Sequence, residues 1–168
     1  MPLQGSLAKA DGTGTNSIAL GVSATASGQA GIAVGYGANA SAQSTVAIGP
    51  SPTATAFASV AIGLAANATA ENTIAIGDIA KASVIRAIAI GCNAAASSND
   101  TIAIGTGATC SNGWAVAIGN GCKTSSTTSI AIGSSANATG AGSISVGSSS
   151  FSANNYSTAL GFNAKATY

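Results

Sequence analysis

The sequence predicts an all-β protein: a single-domain parallel β-solenoid of about eleven 14-residue coils. A glycine recurs every fourteen residues with no insertion or deletion. It closes an alternation of large and small residues, as in Thr73-Ile74-Ala75-Ile76-Gly77, and a period of two is typical of a strand. Fourteen residues are too few to bury a core, so stacked copies must bury it together. The repeat glycines are Gly21, Gly35, Gly49, Gly63, Gly77, Gly91, Gly105, Gly119, Gly133, Gly147 and Gly161.

Each repeat is predicted to contain two short strands joined by two tight corners. The first strand carries Ile and Val, which fit a pleated surface, and a glycine at every fourteenth position argues against a helix. The second strand is the small-residue half of the repeat, for example Ala66-Asn67-Ala68. We divide the chain into an N-terminal arm with a degenerate capping coil, residues 1–15, and the regular repeats, residues 16–168.

The alternation in the first strand predicts which side chains face the interior. We expect Ile74 and Ile76 to point into the coil, opposite the small pair Ala66 and Ala68. The residue between the isoleucines then faces outward, and it is never larger than alanine or serine. A surface position that stays this small indicates that another surface approaches closely, so we predict that copies of the chain pack there. The predicted interface residues are Ala19, Ala33, Ala47, Ala61, Ala75, Ala89, Ala103, Ala117, Ala131, Ser145 and Ala159.

Composition argues against several classes of function. Charged residues make up 5% of the chain and the net charge is +1, whereas a nucleic-acid binder carries a basic patch. No apolar stretch reaches the ~20 residues of a spanning helix, and residues 1–6 lack the regions of a secretory signal. We therefore expect no nucleic-acid partner, no membrane insertion, and synthesis in a cytoplasm without a signal peptide.

The residues needed for catalysis or metal binding are scarce. Histidine is absent, so no imidazole base is available to activate a serine or cysteine, and a zinc site has few ligands. Glycine pairs such as Gly105-Thr106-Gly107 open no predicted helix, as a phosphate-binding loop would. We predict a non-enzymatic protein with no catalytic residues, no cofactor and no metal.

The repeat position of each of the three cysteines and two aromatic residues predicts whether it is buried or exposed. Cys110 and Cys122 replace alanine in inward columns and are interpreted as buried free thiols. Cys92 lies at a corner and is a candidate for a cross-link to a neighbouring protein. Trp114 and Tyr156 share an outer column three coils apart; aromatic residues suit a binding surface, and the alternative is that they cover the corners. The candidate partner contacts are Met1, Pro2, Leu3, Gln4, Cys92, Trp114 and Tyr156.

One predicted outward column consists almost entirely of hydroxyl residues. We interpret it as satisfying backbone groups at the corners. An ice-binding face is the alternative, and the mixed composition of the neighbouring column argues against it. The column contains Ser27, Ser41, Thr55, Thr69, Ser83, Ser97, Ser111, Ser125 and Thr139.

The repeated Ser/Thr-Val/Ile-Ala-Ile-Gly, followed by Ala-x-Ala, resembles the head repeat of YadA-like trimeric autotransporter adhesins over about residues 17–168. The resemblance implies a left-handed parallel β-roll and a homotrimer packed through the Ser-Ile-Ala-Ile-Gly strands. It also implies a surface-exposed, adhesive role. We expect no secretion signal, coiled-coil stalk or membrane-anchor barrel in this chain, and the same roll occurs in phage virion proteins.

We therefore expect a structural protein on the outer surface of a phage virion, made in the host cytoplasm. The first hypothesis is a trimeric capsid decoration (cement) protein that stabilises the shell by contacts with the major capsid protein. The alternative is a phage tail-fibre or adhesin head, with tail proteins and a host-cell surface receptor as partners.

Overall fold

Residues 14–167, which are the part of the chain described by this computed structural model, wind into a parallel β-solenoid. Two sheets run along it, sheet A with eleven strands and sheet B with ten. Neighbouring strands come from successive coils, so that Ala75 pairs with Ala61 on one side and Ala89 on the other. The predicted fold class, with about eleven 14-residue coils of two strands each, is confirmed. The boundary at residue 15 stays a prediction, because residues 1–13 lie outside the described part.

The strands of sheet A have three residues each. They are β1 (Ile18–Leu20), β2 (Ile32–Val34), β4 (Val46–Ile48), β6 (Val60–Ile62), β8 (Ile74–Ile76), β10 (Ile88–Ile90), β12 (Ile102–Ile104), β14 (Val116–Ile118), β16 (Ile130–Ile132), β18 (Ile144–Val146) and β20 (Thr158–Leu160). The strands of sheet B have two residues each. They are β3 (Asn39–Ala40), β5 (Thr53–Ala54), β7 (Asn67–Ala68), β9 (Lys81–Ala82), β11 (Ala95–Ala96), β13 (Thr109–Cys110), β15 (Lys123–Thr124), β17 (Asn137–Ala138), β19 (Phe151–Ser152) and β21 (Lys165–Ala166).

The lumen between the two sheets holds only small side chains. In the central coils Thr73 and Ala75 point inward from sheet A, and Ala66 and Ala68 point inward from sheet B; all four are at most 1% exposed. The gap is narrow enough for a single side-chain atom beyond Cβ to cross it. The Sγ atom of Cys122 lies 3.0 Å from the carbonyl oxygen of Ala131 on the facing strand. An isoleucine side chain does not fit in this space.

The face assignment made from the sequence is therefore wrong by one residue. Ala75 is 0% exposed and faces the lumen, whereas Ile74 and Ile76 lie half-buried on the outer face of sheet A. The period of two is correct, but a shift of one residue exchanges the two faces of a strand. The predicted interface alanines and serine line the lumen and make no outer surface. They are Ala19, which is half-buried in the first coil, and the buried Ala33, Ala47, Ala61, Ala75, Ala89, Ala103, Ala117, Ala131, Ser145 and Ala159.

The first corner, between sheet A and sheet B, requires glycine for two reasons. Gly77 has φ +133°, a region that side chains rarely adopt. A Cβ atom there would also lie 2.6 Å from the backbone carbonyl of Gly91 in the next coil. Gly161 ends the column with φ +118° and has nothing within 4 Å of such a Cβ. The close approach therefore comes from stacking, and the repeated glycine permits the coils to stack at strand spacing.

The second corner is held in most coils by a hydroxyl that precedes the strand of sheet A. Thr73 Oγ1 donates to the carbonyl oxygen of Ala70 at 2.7 Å, and Thr101 Oγ1 donates to that of Ser98 at 2.6 Å. This explains why Ser or Thr opens most copies of the repeat, since a short side chain can close the corner from inside.

Cys110 and Cys122 are buried free thiols, which confirms their interpretation. Their Sγ atoms lie 3.1 Å from the carbonyl oxygen of Ile102 and 3.0 Å from that of Ala131, respectively. Burial raises the pKa of both thiols, that of Cys122 to about 11.

The substitution Ala75→Leu tests the width of the lumen. We expect the free energy of unfolding to fall by at least about 1–3 kcal/mol, because leucine overfills a closely packed site. The matched control is Ala95→Leu on the outer face of sheet B, where we expect a change within about 0.5 kcal/mol. Urea unfolding at a fixed chain concentration measures both. Equal stability of the two variants would contradict the inward placement of Ala75.

Cys122 should make the stability fall with pH in the alkaline range. An unfolded thiol loses its proton near pH ~8.5, whereas Cys122 in the coil keeps it up to about pH 11. Between these values the folded state binds the extra proton, so the free energy of unfolding decreases as the pH rises. Cys122→Ala removes the titrating group and fits the column. Parallel pH–stability curves for the chain and this variant would show that Cys122 does not contribute.

Candidate interaction surface

The outer face of sheet A is an uninterrupted apolar surface, which we call the apolar face. Two columns of side chains form it, one on each side of the inward alanine, and neither contains a charged residue. The first column is Ile18, Ile32, Val46, Val60, Ile74, Ile88, Ile102, Val116, Ile130, Ile144 and Thr158. The second column is Leu20, Val34, Ile48, Ile62, Ile76, Ile90, Ile104, Ile118, Ile132, Val146 and Leu160.

Stacking covers only part of this face. In the middle of the rod a residue such as Ile132 remains 38% exposed, although neighbours pack on both sides. At the two ends Leu20 and Leu160 are 64% and 75% exposed. All-parallel sheets occur in proteins almost only with both faces covered, and large exposed apolar patches mark interaction sites. The apolar face is therefore a surface that another surface is expected to cover.

Reasoning from the sequence missed the residues of the apolar face, although the signal was present. In Thr73-Ile74-Ala75-Ile76, Thr73 and Ala75 lie on the same side of the strand, and both positions hold only small residues in every coil. The two facing columns on sheet B also hold only small residues. A core built from four small columns has no space for a large one. Volume matching across the lumen would therefore have placed the isoleucines outside.

The first corner carries Cys92 beside the apolar face. Cys92 is a half-buried free thiol, and its Sγ accepts from Nδ2 of Asn93 at 3.2 Å. The same corner column presents Tyr36 and Leu64, which are 66% and 50% exposed. Cross-linking through Cys92 stays a prediction.

The second corner carries a ridge of polar and aromatic side chains at one repeat position. Arg86 and Asp100 occupy it in adjacent coils and form a bidentate ion pair, with Nη2 of Arg86 2.8 Å from Oδ2 of Asp100. The hydrogen bond between them lowers the pKa of Asp100 and raises that of Arg86. The pair lies at the surface, and the charges of Arg86 and Asp100 balance each other at this position of the second corner.

Trp114 and Tyr156 lie farther along and, with Thr128 and Gly142 between them, form what we call the aromatic ridge. The two aromatic side chains are 66% and 83% exposed, and both the partner contact and the alternative, cover of the corners, stay predictions. The Tyr156 ring lies against Gly142, where a Cβ atom would be 2.9 Å from its Cδ1 atom. Trp114 and Tyr156 have φ values of 55° and 60°, a left-handed conformation that costs a residue with a Cβ about 1–2 kcal/mol.

The predicted contacts Met1, Pro2, Leu3 and Gln4 lie outside the described residues. Within residues 14–167, no three His, Cys, Asp or Glu side chains come together as metal ligands would. No helix in that part of the chain is long and apolar enough to span a membrane.

Comparison with protein families gives one match, to the family described as "YadA head domain repeat (2 copies)". It covers residues 13–38, 26–51, 54–78, 79–108, 125–150 and 152–167. No curated protein matches the chain. The matched segments include strands of both sheets and both kinds of corner, in agreement with the coils described above. The chain thus belongs to the family of YadA head domain repeats.

Proposed function

We propose that this chain is the structural head of an adhesin and works as a homotrimer, with three apolar faces packed around a common axis. The observation that carries the proposal is the apolar face, which continues through all eleven strands of sheet A without a charged residue. Membership of the YadA head family supports the number three, because YadA heads are trimeric adhesins. The role is non-enzymatic, since the repeated unit supplies surface and rigidity.

The first corner supports the trimer independently. Tyr36 and Leu64 are exposed at the edge of the apolar face, and so is Ile79, which is 41% exposed. A closed ring of three chains is built from heterologous contacts, in which different patches of neighbouring chains meet. Such contacts reach the corners as well as the flat faces. The arrangement would therefore cover these side chains together with the isoleucine columns.

In this trimer the second corner and the outer face of sheet B point away from the axis. We assign adhesion to the aromatic ridge, because its aromatic side chains add little to the fold. Trp114 and Tyr156 bury little surface in the chain, and aromatic residues are enriched at binding hot spots.

The capsid-decoration hypothesis has no support from the family match. It rested on the N-terminal arm, which lies outside the described residues. A location on a virion, with a capsid or tail protein as partner, stays a prediction. Electron microscopy of particles labelled with an antibody against this chain distinguishes a shell location from a fibre tip or a cell surface.

Two lysines placed in the apolar face should separate the chains without unwinding them. We expect the parent protein to have three times the single-chain mass of 15.7 kDa. We expect the Ile76→Lys, Ile104→Lys variant to have the mass of one chain, because trimer formation would bury lysine charges that have no oppositely charged partner. Light scattering measures the mass, and circular dichroism reports the strands. The matched control is Asn67→Lys with Thr109→Lys, in the column of sheet B that already contains lysines.

A parent chain that is monomeric would overturn the trimer, and a dimer would overturn the number three. A trimeric lysine variant with intact strands would show that the apolar face is not the interface. A control that dissociates would show that added charge alone separates the chains.

Removal of the aromatic ridge should abolish adhesion and leave the trimer intact. We expect beads coated with Trp114→Ala, Tyr156→Ala protein to lose at least about tenfold in attachment to cell surfaces that the parent protein binds, as truncated aromatic hot spots do. The control is Phe57→Ala, which removes an exposed aromatic side chain that lies outside the aromatic ridge. Attachment equal to that of the parent would show that adhesion does not use the aromatic ridge.

A further inference from the structure

Three lysines lie on one column of the outer face of sheet B, which we call the lysine face. Lys81, Lys123 and Lys165 begin strands β9, β15 and β21, and all three side chains are exposed. They are spaced three coils apart, or about 14 Å for strands ~4.8 Å apart. They are all the lysines of residues 14–167, so the positive charge of the described lysines is confined to one of the fourteen positions in the repeat.

The acidic residues of the described chain are placed elsewhere. Glu71, Asp78 and Asp100 lie in the corners. The ion pair of Arg86 with Asp100 is on the second corner, and within residues 14–167 none of the three lysines has an ion-pair partner, although Asp78 precedes Lys81 by only three residues. The lysine face therefore carries three positive charges without an ion-pair partner between Lys81 and Lys165, although the net charge of the chain is only +1.

Uncharged residues fill the space between these charges. The lysine column carries Ala95 and Thr109 between its first two cations, and Asn137 and Phe151 between the last two. Beside it runs the hydroxyl column predicted from the sequence, in which Ser83, Ser97, Ser111 and Ser125 are exposed. The surface is flat and repeats along one direction, which suits an extended polymer rather than a small molecule, since small-molecule sites are concave.

We infer that the lysine face binds a linear acidic polysaccharide. Such a polymer carries widely spaced anionic groups separated by hydroxyl-bearing rings, which complements widely spaced lysines flanked by a column of exposed serine hydroxyls. Duplex DNA fits less well, because it carries a charge every ~1.7 Å of axis and its binding rests on many phosphate contacts. A flat lipid surface could contact only one lysine face of a trimer at a time. This face also has few apolar side chains that could insert into a membrane.

This inference adds a partner class to the proposed function and rests on it, because the trimer directs sheet B outward. Three lysine faces pointing in different directions would each engage a different strand of a polysaccharide mesh. Simultaneous engagement raises the apparent affinity without any new contact. The weak binding expected of three lysines on one face thereby becomes firm attachment to a surface coated with the polymer.

Binding of the full chain to immobilised keratan sulfate and hyaluronate, whose anionic groups are separated by uncharged rings, tests the inference, with uncharged dextran as the reference. The two anionic polymers distinguish sulfate from carboxylate as the recognised group. We expect binding to at least one of them, none to uncharged dextran, and loss of binding between about 50 and about 500 mM salt, since exposed charges are screened. The variant Lys81→Gln, Lys123→Gln, Lys165→Gln should bind at least about tenfold more weakly, because mutation of the charges removes the attraction.

The matched control is Arg86→Gln, which removes a cation from the second corner and should change binding less than about twofold, because a single exposed charge outside the face contributes little. Light scattering on the same samples reports the trimer, so that a lost trimer is distinguished from a lost binding face. Binding by the triple lysine variant equal to that of the parent, or equal binding to uncharged dextran, would overturn the inference. Tighter lysine-dependent binding to duplex DNA or to anionic phospholipid vesicles would overturn the assignment to a polysaccharide.

Discussion

The narrow gap between the two sheets is the constraint on which the rest of this structure depends. One atom beyond Cβ crosses it, as the contact of Cys122 Sγ with the carbonyl oxygen of Ala131 shows. Only Gly, Ala, Ser, Thr, Cys and one proline line the buried parts of its four columns. The same small residues close the coil, since the hydroxyl of Thr73 reaches Ala70 within its corner. A residue inserted within a strand would exchange its two faces and turn isoleucines toward the gap, which favours an unbroken period of fourteen.

This constraint moves the large side chains to the outside. In most proteins isoleucine supplies the core, but here it has no place within the chain, and the coil is filled by alanine instead. Each alanine buries little apolar surface, so a single rod gains little hydrophobic stabilisation per residue. The two columns of the apolar face supply the missing apolar area, provided that other chains cover them. In the proposed trimer, folding and assembly would be linked, because the isoleucines excluded from the lumen would form a second core between the chains.

The second corner and the outer face of sheet B are not limited by the width of the gap, and they carry larger and charged side chains. At the second corner the backbone requires a left-handed residue in every coil, and Asn72, for example, fits that position readily. Farther along the rod the same position holds Trp114 and Tyr156, with φ values of 55° and 60°. On sheet B the outward column alternates uncharged residues with Lys81, Lys123 and Lys165. The rod thus separates a continuous apolar face, which is the proposed trimer interface, from the aromatic ridge and the lysine face, to which the proposed partners would bind.

The sequence by itself determined the solenoid, the coil length, the two strands and two corners of each coil, and the buried state of Cys110 and Cys122. These follow from periods and from glycine, which are local properties of the chain. It did not determine which side of β8 faces the lumen, and the interface was accordingly placed on Ala75 and not on Ile74 and Ile76. A period of two is the same for both phases of a strand. Only the tertiary structure decides between them, because the distance to the facing sheet fixes which side chains fit inside.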